Sequence, residues 1–170
     1  MKMPVYFVSH GGGPWPWISE WDAMYAKLHE SLVQMPAQLP QRPKAILMVS
    51  AHWISRDELQ VMTNPQPGMF YDYYGFPEHT YKVEYSAPGS PALAQEVREL
   101  LEKQGFKVSE DAERGFDHGA FVPLAVAFPD ADIPVVQLSI EKHYDPDYHI
   151  RMGQALASLR DQGVLIIASG

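Results

Sequence analysis

Four short apolar runs mark the chain, and each gives way to small or polar residues. Residues 45–49 stop at Ser50-Ala51-His52, and residues 5–8 run into Ser9-His10. Residues 135–138 run into Ser139, and residues 164–167 into Ala168-Ser169-Gly170. Apolar runs of this length, broken only by Gln137, fit strands buried on both faces, as in a parallel sheet covered by helices. Two weaker strands are expected at 59–63 and 106–109. Between the runs the period changes to helical. Trp21, Met24, Tyr25, Leu28 and Leu32 give a helix near 20–34, with Ser19 as its N-cap and Asp22 at N3. Ser90-Pro91 opens a helix carrying Leu93, Val97, Leu100 and Leu101, with Gly105 past its end. Residues 120–128 read as a short apolar helix. Asp145-Pro146 opens another, with Ile150, Leu156 and Leu159 inward and Gly163 as its stop. Strands alternating with helices predict a single α/β domain with a mostly parallel central sheet and helices on both faces.

Residues 64–91 interrupt this alternation. The segment holds Pro65, Pro67 and Gly68, then Met69-Phe70-Tyr71-Asp72-Tyr73-Tyr74-Gly75-Phe76-Pro77. Disordered segments are poor in aromatics, so an ordered flap is expected. A satellite aromatic cluster over a sheet edge is the other reading.

Composition narrows the partners. A net charge of −8 lacks the basic face that nucleic acid or an anionic membrane needs. No apolar run approaches the roughly 18 residues of a membrane helix. The absence of cysteine excludes disulfides and thiolate metal sites and fits a reducing, cytoplasmic setting. The triple glycine 11–13 has neither GxGxxG spacing nor a Gly-Lys-Ser/Thr, so it is no nucleotide loop. No Gly-x-Ser-x-Gly elbow or His-Glu-x-x-His helix is present.

The chemistry rests with histidines. His10 and His52 each follow a strand, at the carboxyl edge where open α/β sheets bind ligands. Each alone could be an ordinary polar loop residue; as a pair in Ser-His and Ser-Ala-His contexts they could share one metal ion. His118 lies in Gly115-Phe116-Asp117-His118-Gly119, where the glycines suggest close backbone placement. It reads as an acid-base or substrate-binding group, or as a cap on the following helix. Asp117 could orient a ring. His29, His143 and His149 lie in polar contexts, and His79, beside the flap, is a weaker candidate.

Five ordered motifs resemble the LigB-type extradiol ring-cleavage dioxygenases, nearest the DOPA 4,5-dioxygenase-like branch. They are Ser9-His10-Gly11-Gly12-Gly13-Pro14, Val49-Ser50-Ala51-His52-Trp53, residues 85–91, residues 115–119 and residues 129–139. The resemblance spans essentially the whole chain. It implies a non-haem Fe(II) enzyme, in some members isolated with zinc, that opens a catechol beside its hydroxyls with O2. It makes His10 and His52 metal ligands and His118 the acid-base residue by the substrate. Tyr73 and Phe76 of the flap would exclude water and stack on the substrate. Family members continue past the last strand with a further histidine, so the chain is expected to lack a C-terminal part, with a third ligand beyond Gly170. The strand at 164–168 would then present an open edge that promotes association. A non-catalytic binding protein of the same fold and a zinc-dependent hydrolase are the competing readings.

Overall fold

A computed structural model describes all residues, 1–170. Six strands, β1 (Val5–Val8), β2 (Ala45–Ser55), β3 (Leu59–Met62), β4 (Val108–Asp111), β5 (Val135–Glu141) and β6 (Val164–Ser169), form one sheet in the order β1-β6-β2-β5-β3-β4. Every pairing is parallel except β3 with β5. Along β2, Ile46, Leu47 and Met48 are all fully buried. Ile46 and Met48 enter one core and Leu47 the other, as expected of a strand covered on both faces.

Helices α1 (Asp22–Gln34) and α3 (His118–Ala127) cover the first face; α2 (Pro91–Lys103) and α4 (Pro146–Ala155) cover the second. Ser90 caps α2 as expected, its Oγ accepting from the Leu93 N–H. Asp145 does the same for α4 through Asp147. α3 is buried nearly all round, which explains why its sequence is apolar without a stripe.

Several local expectations are corrected. Ser19 does not cap α1. A 3-10 turn at Ser19–Trp21 takes up the approach, and α1 starts three residues later with no side-chain cap. Met24 is exposed as a result, and Leu32 is the helix's buried anchor. Ile150 is exposed; Met152 enters the core instead. Beyond α4 the chain tightens into a 3-10 stretch, Ala157–Gln162, which changes the helical phase and keeps Leu159 inward. β6 is not an open edge: it lies between β1 and β2, with Leu165 and Ile167 buried. The open edges belong to β1 and β4, and the exposed apolar side chains there are Val5 and Phe7.

The 64–90 segment is ordered against the protein. Its Tyr73, Val83, Tyr85 and Ala87 join the same core as Ile46, Phe121 and Ile167, so it is no satellite cluster. Tyr71 and Tyr73 donate their hydroxyls to the carbonyls of Val83 and Thr80 at 2.6 and 2.7 Å. Phe121 packs under both rings. Replacing the fully buried Phe121 by Ala should therefore lower stability by about 3–5 kcal/mol. Phe7→Ala, at a side chain 79% exposed, should change it by less than about 0.5 kcal/mol. Urea denaturation of both variants checks the contrast.

Candidate metal centre

β1 and β6 run side by side, so the ends of both strands meet although they are far apart in the chain. The His10 N–H donates to the Gly170 carbonyl, continuing the pairing past β1. The Trp15 indole N–H donates to the His10 carbonyl at 2.8 Å and fixes the turn after the strand. Phe76 fills the space where a side chain at Gly13, which has φ +49°, would fall.

His52 is not beyond its strand but inside it. β2 continues to Ser55, and between the pairs Val49–Leu138 and Ile54–Ile140 it advances five residues against two on β5. This bulge lifts residues 50–53 off the β5 ladder, while Ser50 still pairs with Ser169 of β6, and re-aims the imidazole. α3 starts at His118, two residues earlier than the apolar pattern indicates, because Asp117 is its N-cap. The Asp117 carboxylate is fully buried and accepts from the Ala120 N–H, Ser50 Oγ, Gln137 Nε2 and an Arg114 guanidinium N–H. Ser50 Oγ in turn accepts from the His52 N–H at 3.1 Å. A Cβ at Gly119 would lie 2.3 Å from Ser50 Oγ and 3.0 Å from His52, so α3 approaches β2 this closely only with glycine there.

These elements bring His10, His52 and His118 together. Each offers a ring nitrogen, and the three atoms lie within 4.8 Å of one another. His10 and His118 are buried; His52 faces the solvent side. Nε2 of His10 lies 2.9 Å from Nε2 of His52. Two nitrogens binding one ion at right angles with bonds of about 2.1 Å are about 3.0 Å apart, so the pair fits a shared metal ion.

The hydrogen bonds behind His10 assign its tautomer. Pro123 has no N–H to return to Gly119, which leaves that carbonyl free inside α3. Ser169 Oγ donates its only proton to it at 2.6 Å. The same hydroxyl must therefore accept from His10 Nδ1, 3.1 Å away. His10 Nε2 is left with its lone pair facing His52. Burial, then the neighbouring His118 and His52, push His10 down to about 4. His52 is lowered by burial first, then by His118 and Arg114. Both shifts favour the neutral imidazole, as ligation requires.

Asp72, from the flap, was not foreseen. Its Oδ1 accepts from both the backbone N–H and Nδ1 of His118, at 2.9 and 2.8 Å; its Oδ2 lies 3.5 Å from His52 Nδ1. Burial alone would raise this carboxyl, but the two bonds from His118 outweigh it and hold it below its usual value. The sequence carried a signal, since Asp72 is the only charged residue in the aromatic run 69–77. Arg114 was also missed. Its guanidinium lies between the Trp53 and Phe70 rings at 4.8 and 4.5 Å while it pairs with Asp117.

The expected flap residues divide. The Tyr73 ring stands edge-on to His118 at 5.9 Å, with its hydroxyl spent on Thr80 and its phenol pushed up to about 12, chiefly by burial. Phe76 stands behind Tyr73 at 5.4 Å and against Trp21. His79 lies outside the cluster and bonds the Trp17 carbonyl, tying the flap to the 15–17 turn. Asp117 orients no ring directly and is too fully engaged to serve as a ligand. The largest surface cleft, between residues 66–69 and 84–88, contains none of the histidines.

Two outcomes follow for the metal-free chain. A histidine whose folded value is lowered binds fewer protons than in the unfolded chain, so stability rises with pH through that window. Stability should therefore increase from about pH 4 to His10's ordinary value of 6.5, and His10→Gln should flatten the rise. Urea midpoints across this range measure it. Ser169→Ala strands the Gly119 carbonyl and should destabilise by about 1–3 kcal/mol in the same assay.

A family model described as the catalytic LigB subunit of aromatic ring-opening dioxygenase matches residues 6–170. The chain is 52% identical over 131 residues to a 4,5-DOPA dioxygenase extradiol of Beta vulgaris, covering 76% of this chain and 48% of that protein. It is 42% identical over 169 residues to a protein of the same name in Escherichia coli, covering 99% of this chain and 59% of that one. The crystal structure of uncharacterized protein JW3007 from Escherichia coli K12 superposes with a TM-score of 0.74 at 38% identity, over 99% of this chain and 60% of that one. The chain thus spans about half the length of the curated relatives it matches. With this match along nearly its whole length, the chain belongs to the LigB family of aromatic ring-opening dioxygenases.

Proposed function

We propose that this chain carries the metal-binding part of a non-haem extradiol dioxygenase that opens a catechol-type ring with O2, with Fe(II) as the metal. The observation that carries the reading is the 2.9 Å approach of the His10 and His52 Nε2 atoms beside a third imidazole, in a chain of this family. A bound Fe(II) would supply a redox partner for O2 and acidify the catechol hydroxyls. Zinc fits the same donors but supplies only the second effect.

The chain's own residues would do the rest. His10 and His52 would hold the ion as neutral ligands. His118, its Nδ1–H bonded to Asp72, has a free lone pair on Nε2 to accept the remaining catechol proton. The phenol of Tyr73 is buried and engaged, so that residue would offer an aromatic wall rather than a proton. Phe76 would back that wall and help keep water out. A second reading makes His118 the third ligand, and the 4.8 Å clustering of all three nitrogens favours it.

Alanine variants separate the readings. His10→Ala and His52→Ala should each lose most bound iron, by atomic absorption. His118→Ala should keep its iron and lose about 10²–10⁴-fold in oxygen uptake with DOPA or a simpler catechol. Iron loss in His118→Ala equal to that in His52→Ala would make His118 a ligand. Zinc-supported hydrolysis without oxygen uptake would replace the dioxygenase reading altogether.

A further inference from the structure

We propose that Asp72 is the positioning residue of the site: it holds His118 as the Nδ1–H tautomer in a fixed orientation and so keeps the Nε2 lone pair available. The inference deepens the reading of the three histidines as a metal centre and rests on it for its purpose, though not for its geometry.

One oxygen, Asp72 Oδ1, takes both the backbone N–H of His118 and its Nδ1–H. Two bonds from one residue to one atom fix the ring's rotation as well as its proton. A carboxylate has no proton to give, so the ring nitrogen facing it must be the protonated one. Without that partner either nitrogen of His118 could carry the proton, and the lone pair would be shared between two directions. The second oxygen lies 3.5 Å from His52 Nδ1 and extends the same negative field to a second imidazole.

The carboxylate is itself held in place. Its side chain is 12% exposed. Its neighbours Tyr71 and Tyr73 are anchored by their hydroxyls to Val83 and Thr80. The Phe70 N–H donates to the Phe116 carbonyl, two residues before His118. The flap is thus pinned on both sides of Asp72, next to the ring it holds. Losing the carboxylate partner of a histidine at a metal site typically costs about 10–100-fold in metal affinity or activity.

The alternative is that Asp72 only anchors the start of α3 through the His118 N–H. Nitrogen-15 NMR of histidine-labelled protein distinguishes the two, because it reads the imidazole tautomer in the metal-free chain. In the wild type His118 should be the Nδ1–H form. Asp72→Ala should populate the Nε2–H form and, in the iron-loaded chain, lower oxygen uptake with a catechol by about 10–100-fold while keeping its iron. Asp72→Asn keeps an acceptor at the same place and should restore the Nδ1–H form and most of the uptake. A wild-type His118 that is mainly Nε2–H would overturn the proposal without any variant. So would an unchanged tautomer in a folded Asp72→Ala chain, even with a lowered melting point, since that is the mark of an anchor alone. Wild-type zinc affinity no better than that of the His10→Ala/His52→Ala double variant would instead sink the metal-centre reading, and the tautomer would still decide the role of Asp72.

Discussion

The site depends on one buried charge. Asp117 has no exposure, and an unpaired carboxylate there would cost several kcal/mol. Its partners come from four directions: the α3 backbone, Ser50 of β2, Gln137 of β5 and Arg114 of the preceding loop. Satisfying this one group therefore locks the start of α3 to two adjacent strands. His118 is the next residue in α3, and His52 hangs from Ser50 through its backbone N–H. Their relative position is a consequence of how Asp117 is paired. Gly119 permits the contact, and Arg114, stacked between Trp53 and Phe70, brings the balancing positive charge without bringing water.

Around that anchor the dryness that makes charge expensive favours the neutral form of His10 and His52. Burial is the leading cause of the lowered values of His10 and His52, and the neighbouring His118 ring adds to both. Two nitrogens facing each other at 2.9 Å need something positive between them. Without an ion, a neutral His52 in its Nε2–H tautomer supplies it by donating to His10 Nε2. A metal ion satisfies both lone pairs without adding a proton to either ring. The two partners behind the rings differ in kind: a neutral hydroxyl stands behind His10 and a carboxylate behind His118. The carboxylate fixes the proton on Nδ1 of its ring and leaves Nε2 as the acceptor, which suits proton acceptance at His118, while the hydroxyl suits plain ligation at His10.

Much of the fold was legible because each element writes its own local pattern. All six strands and four helices announced themselves through apolar runs, helical spacing, Ser90-Pro91 and Asp145-Pro146. The two histidines after strands and the Gly-flanked His118 were legible for the same reason. Strand order was not, because parallel pairing leaves no mark at the residues that pair; hence β6 was expected at an edge and lies inside. The bulge at His52 was hidden because a continuing strand and a departing loop read alike in Ser-Ala-His-Trp-Ile-Ser. Asp72 was missed because its partner is 46 residues away and the bond between them exists only in the folded flap.

That flap accounts for how a carboxylate comes to lie in so dry a place. Removing Asp72 from water is unfavourable, but its two bonds from His118 outweigh that penalty on the charged form. Ordering the flap that carries it costs conformational entropy, which its neighbours offset. Tyr73, Val83, Tyr85 and Ala87 of the same segment are buried in the main core, and Tyr71 packs against it. Burying an aromatic side chain of this size contributes about 2 kcal/mol, so several together offset the ordering of the segment. The aromatic density of residues 69–85 thus has a role beyond covering the site. Apolar burial supplies the free energy that presses a negative charge against an imidazole, and the position of that charge is set by side chains that carry none.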